Sequence, residues 1–300
     1  MALVLWTCVL VSCDRASNSK IEDQRKTSTP TLSSPKKPEV VYLAPGQQWK
    51  TFSQVEADLK AITDAGYSKV CLFDLKSIQG YPDPRYVPLL RRYADGGLEI
   101  TVYVQEVVPD QATLNLARQM DVSSVILYER DLLSLFKAAG MKTCWWSIVA
   151  APPKHPDQPK YMGWIDLRSE SVRQDVARWA VQIPQEVDGG LSLDYIRWNQ
   201  VGSGRTADQV TDLVRRIRAN WNALGNGPLS AAVYPNLGRD PSDGGALSVG
   251  QKWNEWLKDG LLDFAYPMAY ESQDIPRLVK EWKSYDWHRI IPCLSVIDFR

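Results

Sequence analysis

From residue 40 to residue 297 the chain alternates short apolar runs with segments of helical periodicity, and this alternation restricts its fold more than any other feature. The apolar runs fall at 40–44, 69–75, 98–107, 124–128, 142–150, 187–196, 229–234, 261–270 and 290–297. Most lack the polar alternation of a half-exposed strand, so they read as strands buried on both faces, as in parallel sheets. Between them, helical patterns occupy about 52–65, 112–120, 132–139, 169–182, 208–224 and 275–284, with a further helix carrying Gln251, Trp253 and Trp256. Ser169 and Glu170 are expected to cap the fourth of these. Strand, helix and strand joined by short connections form the unit of a parallel sheet, and seven to nine such strands predict an α/β fold of the (β/α)8 TIM-barrel type. An open doubly wound sheet is the alternative. It is disfavoured because no GxGxxG or GxxxxGK[ST] follows any strand. The run at 290–297 has no helix after it, which leaves open whether the barrel is complete at its C-terminus.

Composition narrows the function. Lys plus Arg and Asp plus Glu number 35 each, so there is no basic footprint for nucleic acid. Twelve Trp and thirteen Tyr stand against five Phe, an excess of amphipathic rings that suits a cleft as well as a core. Five cysteines and two histidines, without a CxxC pair, provide no His/Cys metal site and no recognisable thiol mechanism. Cys71, Cys144 and Cys293 lie in strand-like runs as small buried hydrophobes. No cofactor is expected.

The N-terminal 13 residues, MALVLWTCVLVSC, are apolar but too few to span a bilayer, and they have the character of an export signal. Residues 10–13 resemble a bacterial lipobox, in which Cys13 would be the lipidated N-terminus, although no Lys or Arg precedes them. Residues 14–38 are rich in Ser, Thr, Lys and Pro and read as a tether. The expected organisation is a signal segment at 1–13, a tether at 14–38 and the barrel at 39–300. The protein would then be exported to the cell envelope or beyond, meeting the membrane only through that lipid.

Within the barrel, 187–198 stands out: Val-Asp-Gly-Gly-Leu-Ser-Leu-Asp-Tyr-Ile-Arg-Trp. It delivers Asp194, Tyr195 and Arg197 to the C-terminal end of a strand, where barrels of this type place their chemistry. A structural Asp194–Arg197 ion pair is the plainer alternative. Asp74, Glu106, Glu271 and Asp298 hold comparable strand-end positions. Tyr195 either reaches a ligand or points into the barrel wall. Trp145 and Trp146 are consecutive, so at most one of them faces the lumen. Trp253 and Trp256 read as core contacts, Asp263 as structural at the opposite strand end, and His155 and His288 as loop residues.

Three segments together resemble the bacterial glycoside hydrolases grouped as glycosyl hydrolase-like family ten. Residues 188–197 are similar to that family's DGIHxDYIRY strand, 251–257 to its QDWxxWL helix, and 262–270 to its LDFxxPMxY strand. Ser192 stands where the family has histidine. The resemblance runs from about residue 163 to 298 and implies a TIM barrel that cleaves O-glycosidic bonds of a polysaccharide or oligosaccharide. Such hydrolysis uses two carboxyl groups, about 5 Å apart when one is a nucleophile and about 6.5–9.5 Å apart when one activates water. Asp194 would be the nucleophile or base, ionised beside Arg197, with Glu271 or Asp74 as the acid. Tyr195, Arg197, Trp198, Tyr234, Tyr270, Glu106 and Trp146 would contact substrate. The rival expectation is a glycan-binding envelope lipoprotein without catalysis on the same scaffold, which Ser192 favours.

Overall fold

The structure is a computed structural model and describes residues 47–105, 110–151, 164–224, 227–238, 245–271 and 274–298. Eight strands form one parallel sheet: β2 (Lys69–Phe73), β3 (Glu99–Val104), β4 (Val122–Leu127), β5 (Lys142–Ile148), β6 (Gly190–Asp194), β7 (Leu229–Val233), β8 (Phe264–Pro267) and β9 (Cys293–Ser295). Each pairs with the next in chain order from β2 to β8, and β9 pairs with β2, Cys71 lying opposite Cys293. Among the described residues, the remaining seam, between β8 and β9, is bridged only at Ala265–Ile290 and Met268–Cys293. There Ile291 N–H donates to Ala265 O at 2.9 Å and Ala269 N–H to Cys293 O at 2.8 Å. The result is a nearly closed (β/α)8 barrel.

The helices between strands bury one face each. In α1 (Phe52–Asp64), Val55, Leu59 and Ile62 are buried, and Thr51 with Gln54 forms a capping box. In α6 (Glu170–Ala180) the Ser169 hydroxyl accepts from Val172 N–H, as the sequence suggested, and Val176 and Ala177 are buried. The long α7 (Ala207–Ala223) buries Val210, Leu213, Val214, Ile217 and Trp221. In α8 (Trp253–Lys258), Trp253 and Trp256 are fully buried. The helices α4 (Gln111–Gln119), α5 (Arg130–Ala138) and α9 (Ile275–Trp282) complete the expected set. Two α-helices were not anticipated: α2 (Leu75–Gln79) and α3 (Tyr86–Asp95), which both lie between β2 and β3. The strand expected at 40–44 and the segments at 1–13 and 14–38 lie outside the described residues.

A further pairing joins the two ends of the barrel. Strand β1 (Gln48–Trp49) runs antiparallel to β10 (Ile297–Asp298). Asp298, expected at a barrel strand end, therefore belongs to this ribbon and not to the sheet of eight. Lys50 follows β1 and makes a 2.9 Å ion pair with Asp58 of α1, their side chains 0% and 4% exposed. Removing one member of such a pair leaves the other charge buried, so Asp58→Ala is expected to cost roughly 3–5 kcal/mol of stability. Urea unfolding would read this, and a loss below about 1 kcal/mol would show that the ribbon does not depend on the pair.

Candidate active site

Strand alternation sends one set of side chains into the lumen and the other against the helices. The lumenal set includes Cys71, Tyr103, Ile126, Trp146, Ile148, Tyr266 and Cys293, with Phe73, Tyr128, Tyr195 and Tyr270 packed against it. Ser192, standing where the resembling family has histidine, is fully buried, with its Oγ 3.1 Å from the Tyr103 hydroxyl. Of the tryptophan pair, Trp146 faces inward and Trp145 packs on the outer core. Burial pushes the Cys144 thiol up to about 12 and the Cys71 thiol well above its ordinary range, so neither is a thiolate nucleophile at neutral pH.

Asp194 is the last residue of β6 and is 8% exposed. The indole N–H of Trp146 donates to its Oδ2 at 3.2 Å and the Tyr195 amide N–H to its Oδ1 at 2.6 Å. Both are donors only, so both carboxylate oxygens serve as acceptors, an arrangement suited to the ionised group. Around it the rings close up: Tyr103 and Tyr128 lie 4.9 Å and 5.3 Å from Trp146, and Phe73 lies 5.2 Å from Tyr270. Burial pushes the phenols of Tyr103 and Tyr270 well above their ordinary range, and the nearby Asp194 charge adds to this. Both therefore remain neutral hydrogen-bonding groups. Phe73, Tyr103 and Tyr128 were not singled out in the sequence. The alternation of 98–107 does place Tyr103 on one strand face, but which face looks inward is set by the barrel.

Asp74 follows β2 and is 8% exposed, with φ +66°, a backbone conformation uncommon for a residue with a Cβ. Its carboxylate accepts from Ser77 Oγ at 2.9 Å and Lys76 N–H at 3.1 Å. Burial nevertheless raises its pKa, against the opposing hydrogen bonds from Ser77, Lys76 and Gln105. The folded state thus holds this proton more tightly than the unfolded chain. The stabilisation is fully present below the ordinary carboxylate value of about 3.9 and is lost as pH rises through the elevated one. Asp74→Asn is expected to flatten that decline in unfolding free energy measured from about pH 4 to about pH 7. An unchanged slope would assign the pH dependence to another group.

Glu271 is half-buried and lines a cavity of about 360 Å³ with Tyr234, Met268, Tyr270 and Asp274. Asp194 closes β6, Asp74 directly follows β2, and Glu271 lies on the segment that follows β8, so all three belong to the C-terminal side of the sheet. Glu106, Cys13 and His155 lie outside the described residues. His288 is exposed and stacks on Trp287 at 3.8 Å. Asp263, at the opposite strand end, accepts from Arg218 Nη2 at 2.8 Å and Leu229 N–H at 2.7 Å, a structural role.

Three expectations are corrected. Arg197 forms no ion pair with Asp194. After Asp194 the chain turns, with Tyr195 at φ +52° and Arg197 N–H donating to Tyr195 O at 2.8 Å, and the guanidinium comes to lie among aromatic rings instead. Trp198 is not a platform at the mouth. It is 2% exposed in the outer core, its indole N–H donating to Thr206 O at 3.0 Å and its amide to Val249 O at 2.9 Å. Trp146 is 5% exposed and holds Asp194 rather than offering a face to ligand.

Fold and site together define a (β/α)8-barrel protein with carboxylates at the C-terminal mouth. No family model matches the chain, and no curated protein matches it. Among solved structures, it is similar to phosphoribosyl anthranilate isomerase from Thermus thermophilus at 12% identity, covering 76% of this chain and 94% of that one with a TM-score of 0.40. The same enzyme from Thermotoga maritima shows 13% identity, 76% and 93% coverage and a TM-score of 0.42. A psychrophilic glycoside hydrolase family 10 endo-β-1,4-xylanase shows 10% identity, 79% and 87% coverage and a TM-score of 0.38. Likeness of this order carries no information on the reaction, because one barrel hosts many chemistries.

Proposed function

We propose that this protein is a glycoside hydrolase acting on O-glycosidic bonds of a polysaccharide. The observation that carries the reading is Asp194, fixed at the end of β6 by the Trp146 indole and the Tyr195 amide within an aromatic-lined lumen. Oriented in this way, it serves as nucleophile or as the base that activates water. The acid comes from Asp74, whose burial favours the protonated form, or from Glu271 in the cavity beside Tyr270. Tyr195, Tyr234 and Tyr270 are the rings and hydroxyls available to a sugar, and Arg197 sits among them. The chain would be exported and anchored through Cys13.

The test is release of reducing ends from a panel of neutral and acidic polysaccharides by the wild type, Asp194→Asn, Asp74→Asn and Glu271→Gln. Loss of turnover in Asp194→Asn and in one of the other two supports the reading and names the acid. A second reading, glycan binding without turnover, is favoured by the 8% exposure of Asp194 and by Ser192 in the buried lumen. Binding by wild type with no product from any polymer would establish that reading instead.

A further inference from the structure

Arg197 is half-buried at the mouth, and its guanidinium carbon lies 4.8 Å, 5.1 Å and 5.2 Å from the ring centroids of Trp164, Tyr195 and Tyr234. These rings come from the segments following β5, β6 and β7, so three neighbouring loops converge on one cation. The other half-buried arginines of the outer helices are neutralised by carboxylates: Arg173 and Arg216 by Asp212, and Arg218 by Asp263. Among the described residues Arg197 has no such partner. Among these residues a single N–H, at Nη1, donates to a protein acceptor, Trp198 O at a long 3.3 Å. Ring faces hold a guanidinium from above and below while leaving the in-plane N–H groups to form bonds. A cation kept partly out of water, with most of its donors unused, is built to receive an oxyanion.

We infer that Arg197 is the receptor for a carboxylate on the sugar that binds this site, making the substrate class an acidic, uronate-type glycan; this rests on the hydrolase reading above. The planar fork matches a carboxylate bidentately. A singly charged group also suits the surroundings better than a phosphate does. Asp194 ends β6 three residues before Arg197, and Glu271 and Asp274 line the cavity that shares Tyr234 with the guanidinium's cradle. These carboxylates would repel a dianion more strongly than a monoanion.

The experiment uses the full chain and small probes: galacturonate, galactose and galactose 6-phosphate. Binding is read from the Arg197 Nε–H resonance, identified by its absence in Arg197→Lys, and from tryptophan fluorescence, since Trp164 lies against the guanidinium. Galacturonate is expected to shift the resonance saturably while galactose leaves it in place, and Arg197→Lys is expected to weaken galacturonate at least about tenfold through loss of the fork. Equal shifts from galacturonate and galactose, no shift from either, or stronger binding of the phosphate would each overturn the assignment. Galacturonate binding should survive Asp194→Asn. If galacturonate moves Arg197 but no polymer is cut, the anion site stands and the hydrolase reading falls. If a neutral polymer is cut while Arg197 stays unmoved, the reverse holds.

Discussion

Asp194→Asn is expected to lower kcat/KM on the cleaved polysaccharide roughly a thousand-fold, about 4 kcal/mol of transition-state stabilisation. Asparagine keeps the volume and one acceptor, so the Tyr195 amide can still donate to Oδ1. It replaces Oδ2, which receives the Trp146 indole N–H at 3.2 Å, with an NH2 that can only donate. The charge needed to attack an anomeric carbon or to deprotonate water is lost, while the fold around it survives. Steady-state kinetics with a thermal melt on the same preparation would separate the two effects. Retention of more than about a tenth of wild-type activity would remove Asp194 from the reaction.

Gly190→Ala is expected to be among the most damaging substitutions to stability, on the order of 3–5 kcal/mol. Gly190 opens β6 at φ +107°, and a Cβ there would sit 2.2 Å from Pro228 O. That carbonyl accepts the Leu191 N–H at 2.9 Å, so it cannot withdraw without breaking the link between β6 and the chain entering β7. At the adjacent Gly189 a Cβ would meet Cys144 Sγ at 2.7 Å and Thr143 O at 2.9 Å on the other side. The glycine pair thus admits β6 between its two neighbours. A loss of unfolding free energy below about 1 kcal/mol in urea would show that β7 can move aside.

How much of this was legible in the sequence can be judged from particular residues. The alternation of the eight barrel strands with most of their helices, the Ser169 cap, the opposite facing of Trp145 and Trp146, the core tryptophans of α8 and the strand-end placing of Asp74 and Asp194 follow from local periodicity and capping chemistry, which act over a few residues; which of the two tryptophans looks inward does not. The partners of those side chains do not. Arg197 lies three residues from Asp194, yet a backbone turn at Tyr195 separates them, and its surroundings come from Trp164 and Tyr234, brought together by neighbouring strands. Trp198 looked like part of the mouth by position alone, but the packing of α7 and of the turn at 246–249 encloses it.

Hydrophobic period and helix caps act over a few residues, so the chain alone pointed to strands alternating with helices and to Asp74, Asp194 and Glu271 near strand ends. Which ring meets which acid, which cation lacks a counter-ion among the described residues, and the pairing of β1 with β10 emerge only on folding. Those depend on contacts between residues far apart in the chain, whose geometry is set by barrel closure.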